Sequence, residues 1–561
     1  MFKNTKTDYI LLICILALHG AVNFVWLAQD TSPPAWDPSG HLAQSLDYFD
    51  ILTTGKLGNV FLESNRYPPL VYITTTPFYL MFGKSEDVAC LSLMPYLAIL
   101  IFSTYFLGRR MFNRTTGLLS AFLVSTYPVI FGLTRQYFLD LPLTSMAALG
   151  VLVLLQSKNL KSPKDFLSIG LIISLGTLTK IQYIVFLAGP LMVLFIDRLI
   201  KEKKKENNIL KASVEISLGI VGLALILSVW LIPNIGYNSQ VISLSLYLLS
   251  GDWLQHIFSE AILHYFFALI YQVSFPLFLF FAAGLCFIAR SENKTFSGVL
   301  LSWIILPYLF FTIAMLDYRY TMPFLPAVAL LSAYWITDIK KETRKKALIL
   351  LLFFISVAQF LLLSFESDAV VYKSVVMIAA PVSSQDVSSA PLAGNGWIIQ
   401  NGSYYTGKAG YDVYFAGCAN PLAVTYPPRK EDWKAEEILD LVNRTKREDN
   451  ATVGMIPNHL GFNAPGFRFY SKLRDMPLVI RWVSCPADPM DLVKADYILT
   501  KTSYNGFHNG ECSPQYAEEC RLSLTREIMG MELFQQRFKK IGEYILPDGS
   551  SAQVYEKKQL F

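Results

Sequence analysis

Apolar runs of membrane-crossing length recur from Tyr9 to Phe365 and then stop. A bilayer core takes about 20 consecutive apolar residues as a helix. Inside it, only helices and closed barrels satisfy their own backbone groups. This pattern therefore constrains residues 1–365 to a helical, polytopic membrane domain. The runs are Tyr9–Leu27, Val88–Leu107, Thr116–Leu133, Leu141–Gln156, Phe166–Thr179, Ile181–Ile196, Val214–Ile232, Tyr265–Ile288, Val299–Met315, Met322–Ile336 and Ala347–Phe365, about eleven spans by the length criterion. Only 16% of residues are charged and 53% are hydrophobic, against roughly 25% charged in soluble domains. A disordered chain is excluded on that balance.

Charge sets the expected orientation. Lys3 and Lys6 precede the first span, and basic clusters recur in alternate loops: Arg109, Arg110 and Arg114; Lys158, Lys161 and Lys164; Arg198 to Lys211; Arg290 and Lys294; Lys340 to Lys346. The intervening loops hold few cations. Positive loops stay cytoplasmic, so the N-terminus is expected inside and, with an odd number of spans, the C-terminal region outside. The first run lacks a small-residue cleavage pattern and reads as an uncleaved anchor. The basic residues are confined to short loops, with no aromatic-interleaved stripe, so nucleic acid is not an expected partner.

The first outer loop, residues 30–87, is too long for a simple connection. Its apolar stretch Leu70–Phe82 is short and holds Pro77, so it is expected to lie along the interface or re-enter. From Glu366 the texture changes. Short β-rich runs at Thr452–Ile456, Leu478–Val483 and Asp496–Thr500 alternate with helical stretches Lys434–Thr445 and Arg521–Phe538. Lys540–Leu546 and Ala552–Glu556 flank Asp548-Gly549, a hairpin signature. Residues 366–561 thus read as one α/β domain, expected to be extracytoplasmic. Cys418, Cys485, Cys512 and Cys520 fall in it. Such a compartment permits disulfides, with Cys512 and Cys520 the first candidate pair and free buried thiols the alternative.

Several polar residues stand at span ends. Asp37, in Trp36-Asp37-Pro38, fits a helix N-cap with proline after it, or a functional acid. His41 lies four residues on, on the same helix face. Asp140 before Pro142 has the same two readings. Lys180 lies between two apolar runs, and ionisable groups within membrane segments are costly and usually functional. Arg135 and Arg319 are either phosphate ligands or cations snorkelling to the interface. Arg66-Tyr67-Pro68-Pro69 favours an extended entry into the interfacial stretch. His264 is a weaker candidate, beside the loop 233–263.

Taken together, the motifs resemble those of the integral-membrane GT-C glycosyltransferases, in particular bacterial relatives of protein O-mannosyltransferases and of the lipid A aminoarabinose transferase. The carriers are Trp36-Asp37 with His41, Tyr67-Pro68-Pro69-Leu70, Arg135 with Asp140-Leu141-Pro142-Leu143, Gly176 to Lys180, and Tyr318-Arg319-Tyr320 running on to Pro326. The resemblance implies a GT-C-like fold and a polyprenyl-phosphate sugar donor. It also implies transfer with inversion on the extracytoplasmic side, to a hydroxyl or amine of a glycan, lipid or protein acceptor. It makes Asp37 and Asp140 the catalytic acids. His41, Arg66, Tyr67, Arg135, Lys180, His264, Tyr318 and Arg319 become candidate substrate ligands. No cofactor is certain from it, and a divalent cation stays open. Two positions depart from the relatives' pattern: Pro38 follows Asp37 in place of a second acid, and Tyr67 stands where some relatives have lysine. The competing class is a transporter or lipid flippase, which places ionisable groups near mid-membrane in inverted repeats. No repeat is visible here.

Overall fold

The computed structural model describes residues 5–64, 66–157, 163–203, 230, 232–236, 265–291, 293–314, 317–366, 425–483, 493–502, 525–526 and 528–559, with short strand pairs between 392 and 419. Five described helices are long and apolar enough to cross a membrane: Lys6–Leu27, Glu86–Met111, Tyr183–Ile200, Lys294–Thr312 and Glu342–Phe365. A sixth candidate is the pair Tyr265–Val273 and Phe275–Ile288, bent by 114° where Ser274 takes a φ of 78°. Leu70–Phe82, Asp140–Gln156 and Leu167–Thr179 are apolar but shorter. The expected run Thr116–Leu133 is broken in two, α6 (Arg114–Thr126) and α7 (Pro128–Gly132), because Pro128 cannot continue a helix. The run Val214–Ile232 lies almost wholly outside the described residues.

Helix α1 (Thr5–Leu27) leads into α2 (Trp36–Thr53) and α3 (Leu70–Phe82), then α4 (Glu86–Leu91) and α5 (Met94–Met111). The long first loop is therefore mostly helix. Asp37 does not cap α2. The cap position is Ala35, without a side-chain bond, and Asp37 sits inside the first turn, where a carboxylate complements the helix dipole. Leu42, Ala43, Leu46 and Ile51 put the buried stripe of α2 into the main core. Close backbone approach lets α5 and α6 pack tightly: a Cβ on Gly108 would lie 2.7 Å from the Gly117 Cα, the small-residue contact typical of membrane bundles. Helix α8 (Asp140–Gln156) is followed by α9 (Pro163–Thr179) and α10 (Tyr183–Lys203), and the chain breaks at Lys180 between the last two.

The C-terminal part has a separate core around Ile438, Leu439, Val453 and Leu499. Its five-stranded sheet runs β2-β1-β3-β5-β4, with β1 Ala451–Met455, β2 Leu478–Trp482, β3 Tyr497–Lys501, β4 Phe538–Ile545 and β5 Ser551–Lys557. Strand β1 pairs in parallel with β2 and β3, and β5 pairs antiparallel with β3 and β4. The β4–β5 turn places Gly549 at φ 77°, as an Asp-Gly turn requires. The helix predicted over Lys434–Thr445 is present as Ala435–Thr445. Of Arg521–Phe538, the structure shows a helix at Glu532–Arg537. A helix at Ala464–Leu473, between β1 and β2, has no counterpart in the sequence reading. Of the four cysteines considered for disulfides, Cys485, Cys512 and Cys520 lie outside the described residues, as does the side chain of Cys418.

That helix docks the C-terminal domain on α2. Its Phe469 is fully buried in the membrane-domain core, and Lys472 pairs with both carboxylate oxygens of Asp47. Around the start of α2, Trp36 Nε1 donates to the Asn458 carbonyl at 3.2 Å, Thr31 N–H to the Arg429 carbonyl at 2.7 Å, and Arg429 N–H to Asp30 Oδ1 at 2.6 Å. The Lys472–Asp47 pair is partly exposed, at 36% and 25%, and such pairs are worth at most about 1 kcal/mol. Lys472→Ala is expected to lower the thermal midpoint by only a few degrees, read by a melting curve in detergent. The apolar seat of Phe469 carries the larger share of the docking.

Candidate active site

The first turn of α2, the start of α8, the α9–α10 break and a 3-10 turn at Tyr318–Phe324 converge. The 3-10 turn begins at Asp317, whose Oδ1 accepts the Arg319 backbone N–H at 2.9 Å. The same carboxylate holds the Arg319 guanidinium, with Nε at 3.2 Å from Oδ1 and Nη2 at 2.7 Å from Oδ2. Nη2 also reaches Asp37 Oδ2 at 2.9 Å. The guanidinium lies over the Phe138 ring, 4.7 Å from its centre. Arg319 therefore bridges its near neighbour Asp317 to Asp37, 282 residues before it in the chain.

Asp140 is the first residue of α8, and the preceding Leu139 makes no side-chain cap. Its Oδ1 accepts from Lys180 Nζ at 2.7 Å, with both side chains almost fully buried. The ammonium sits 5.1 Å from the centre of the Tyr320 ring, next in sequence to Arg319. A lysine has three N–H donors, and Asp140 takes one. Removing either member of a buried pair strands the other charge. That accounts for both lying where two helix ends meet.

His41 is buried one turn past Asp37. Its Nδ1 is 2.9 Å from the Tyr72 hydroxyl, and its ring meets Tyr67 edge-on at 4.8 Å. Arg66 lies over the Tyr67 ring at 5.2 Å. Burial opposes charge on Asp37, whose side chain is nevertheless 43% exposed, but the attraction and hydrogen bond of Arg319, with a weaker pull from Arg66, outweigh it and hold the carboxyl down to about 2. Burial, with smaller contributions from Lys180, Arg319 and Arg66, brings His41 down to about 3, so it is neutral at ordinary pH. It serves here as a polar, uncharged neighbour of Asp37.

Three carboxylates (Asp37, Asp140, Asp317) and three cations (Arg66, Lys180, Arg319) thus share one neighbourhood. Among the described residues, no three His, Cys, Asp or Glu side chains converge as metal ligands. The acids gathered here are each paired with an arginine or lysine.

Part of this chain matches the family model described as dolichyl-phosphate-mannose-protein mannosyltransferase, over residues 66–232. Similar solved structures include ArnT from Cupriavidus metallidurans in the apo state, at 13% identity and TM-score 0.54, with 98% of each chain covered. The same protein bound to undecaprenyl phosphate matches at 13% identity and TM-score 0.53, with 97% of each chain covered. The archaeal oligosaccharyltransferase AglB from Archaeoglobus fulgidus, in complex with an inhibitory peptide and a dolichol-phosphate, matches at 10% identity and TM-score 0.54. That match covers 99% of this chain and 74% of AglB. No curated protein matches the sequence.

The chain has the GT-C fold. Within this fold, Asp37, His41, Arg66, Tyr67, Asp140, Lys180 and Arg319 come together. Arg135 does not join them. It is 3% exposed and points into the bundle, with Nε donating to Asn23 Oδ1 at 2.9 Å and Nη2 to Ser364 Oγ at 2.7 Å. Its guanidinium is packed against the rings of Trp26, Phe131 and Phe360. A residue five positions before Asp140 was expected at the same site, but the α7–α8 connection turns it towards α1. His264 lies outside the described residues, as does the side chain of Tyr318. Asp317, Tyr72, Phe138 and Tyr320 stand beside these residues and were not singled out from sequence. Asp317 was detectable, since a carboxylate two residues before an arginine at a span end offers a local partner.

Proposed function

We propose that this GT-C chain transfers a glycosyl group from a polyprenyl-phosphate-linked sugar to a hydroxyl or amine of an acceptor. The transfer takes place on the extracytoplasmic face of the membrane, with inversion. The observation that carries this reading is the bridging of Asp37 to Asp317 by Arg319, beside the buried Asp140–Lys180 pair. General-base and anion-binding groups are thereby held within one site at helix ends. The sidedness rests on the basic loops, and the donor class on the family match and on the lipid phosphates named for ArnT and AglB.

In the reaction, the acceptor oxygen or nitrogen forms a bond to the anomeric carbon while the bond from that carbon to the phosphate oxygen breaks. The bonding pair leaves on the phosphate, and the acceptor proton passes to Asp37. A single in-line displacement inverts the centre. The phosphate is a competent leaving group, so Arg319 and Lys180 need only stabilise its charge. Asp140 keeps the Lys180 ammonium aimed. With Arg319 on it, Asp37 is a weak base. Drawing the guanidinium towards the donor phosphate strengthens Asp37 at the moment the nucleophile needs it, because the cation that lowers its basicity moves away.

The test is transfer of label from a panel of polyprenyl-phosphate sugars in membranes holding the full chain, compared with Asp37→Asn. If no donor gives a product that depends on Asp37, the reading fails. The electrostatics give a second check. A base works only when deprotonated, and Arg319 is what holds the Asp37 carboxyl near 2. Arg319→Gln is therefore expected to move the acid limb of the pH–rate profile upward, towards the ordinary carboxylate range or above it, as well as slowing transfer. An unmoved limb in an active Arg319→Gln enzyme would detach Asp37 from the proton transfer.

A further inference from the structure

Arg319 owes its place to a turn that is itself held from outside. Asp317 opens that turn. Its carboxylate grips the guanidinium, and its carbonyl accepts the Tyr320 N–H at 3.0 Å. Wherever Asp317 sits, Arg319 and Tyr320 follow. The Asp317 backbone N–H in turn donates to the Tyr265 hydroxyl at 3.2 Å. Four residues on, Thr321 Oγ1 accepts from Gln272 Nε2 at 2.9 Å. Tyr265, Gln272 and Thr321 are fully buried, and the mechanism above gives them no part.

Both anchors come from one helix, Tyr265–Val273. Tyr265 and Gln272 are two turns apart, so they lie on one face of it, separated by about 10 Å along the axis. The 3-10 rise from Asp317 to Thr321 is about 8 Å. The turn is therefore laid along that face and fastened on either side of Arg319 and Tyr320. One anchor alone would leave it free to swivel.

The anchoring helix stops just past Gln272. At Ser274 the chain bends by 114°, with φ 78° and ψ 150°, a conformation essentially reserved for glycine. Ser274 is 1% exposed and its hydroxyl has no hydrogen-bond partner, so its side chain does not favour the bend. Strained residues persist where their surroundings over-determine them, and they gather at functional sites. Here the bend frees Tyr265–Val273 from the direction of Phe275–Ile288, so that the shorter helix can run beside the turn.

We propose that Tyr265 and Gln272 are positioning residues: they clamp the 317–321 turn on both sides of Arg319 and so fix the point from which its guanidinium passes from Asp37 to the donor phosphate. This rests on the transferase reading given above and deepens it. Arg319 keeps Asp317 while it exchanges Asp37 for the phosphate. Only a turn that stays in place lets the side chain pivot between the two anions, and the Tyr265–Val273 helix supplies that fixed base.

The experiment follows transfer from a labelled polyprenyl-phosphate sugar by the full chain in membranes, across pH, in Tyr265→Phe and Gln272→Leu. Both keep the bulk of the side chain and remove its bond to the turn. Each should lower kcat by about ten- to a hundredfold, the cost of a small misplacement at a reacting centre. Each should also move the acid limb of the pH–rate profile upward, in the direction of Arg319→Gln but less far, because a displaced guanidinium holds the Asp37 carboxyl down less. Thr321→Val should match Gln272→Leu, and Thr321→Ser, which keeps the hydroxyl, should recover most of the loss. Added to Arg319→Gln, neither clamp change should slow transfer further, since the group it positions is gone. Residues that only hold the bundle together would cost the same in both backgrounds and leave the limb unmoved. That outcome, in protein with Asp37-dependent transfer, overturns the positioning role and leaves the transferase reading standing. Absence of any Asp37-dependent product overturns the transferase reading itself.

Discussion

Asp37→Asn is expected to slow glycosyl transfer by about 10²- to 10⁴-fold, the usual contribution of a positioned general base, with little loss of folded protein. The amide keeps the shape and still occupies the first turn of α2. The Arg319 guanidinium keeps its two bonds to Asp317, so no buried cation is stranded. What disappears is the acceptor of the nucleophile's proton. An initial-rate assay under saturating donor separates this from weaker binding, because the loss should fall on kcat rather than on the donor KM. A variant that transfers at the wild-type rate would assign the base to another group.

Asp140→Leu and Lys180→Met are expected to act in the opposite manner, through the fold first. Each strands a charge, or half an ion pair, at a site where the side chains are 1% and 6% exposed. Breaking such a pair from one side costs about 3–5 kcal/mol. Replacing both members with apolar residues of similar size, Asp140→Leu with Lys180→Met, should recover most of that stability, since well-packed apolar pairs commonly equal buried ionic ones. Transfer should nevertheless stay low in the double variant, because no ammonium is left to meet the phosphate. Thermal midpoints of the four proteins form the cycle that reads the coupling. Recovery of activity along with stability would show that the pair is only a strut.

That the first part of the chain is built of apolar, membrane-length helices was legible because a bilayer imposes length and polarity on a span; the number was not, since against about eleven expected spans five described helices, or six with the bent pair, are long and apolar enough. The C-terminal strands at Ala451–Met455 and Leu478–Trp482 and the β4–β5 hairpin were legible for a similar reason: short β-rich runs bounded by turn residues, including Asp548-Gly549. The Ala464–Leu473 helix was not. Pro465 and Gly466 near its start lower its intrinsic propensity, and its support comes from Asn463, whose side chain accepts the Gly466 N–H at 2.9 Å, and from its docking on α2. At the candidate site, residue types were readable but pairings were not. Nothing local tells Arg319 to seek Asp37. Conversely, Arg135 had the same outward signature as Arg319, a cation at the end of an apolar run. Its difference lies in the Asn23, Ser364 and aromatic contacts that three other helices supply.

The seat of Phe469 and Lys472 against α2 has a consequence for how this molecule comes into being. Ribosomes deliver α2, with Asp37 in its first turn, early, and deliver the surface that backs it more than 400 residues later, as the separations of 422 and 425 residues for Trp36–Asn458 and Asp47–Lys472 show. During that interval the membrane helices can insert and pack while the reactive turn lacks half of its surroundings. A chain interrupted after Phe365 would lack the surface that Phe469 and Lys472 press against α2, leaving one flank of that helix bare.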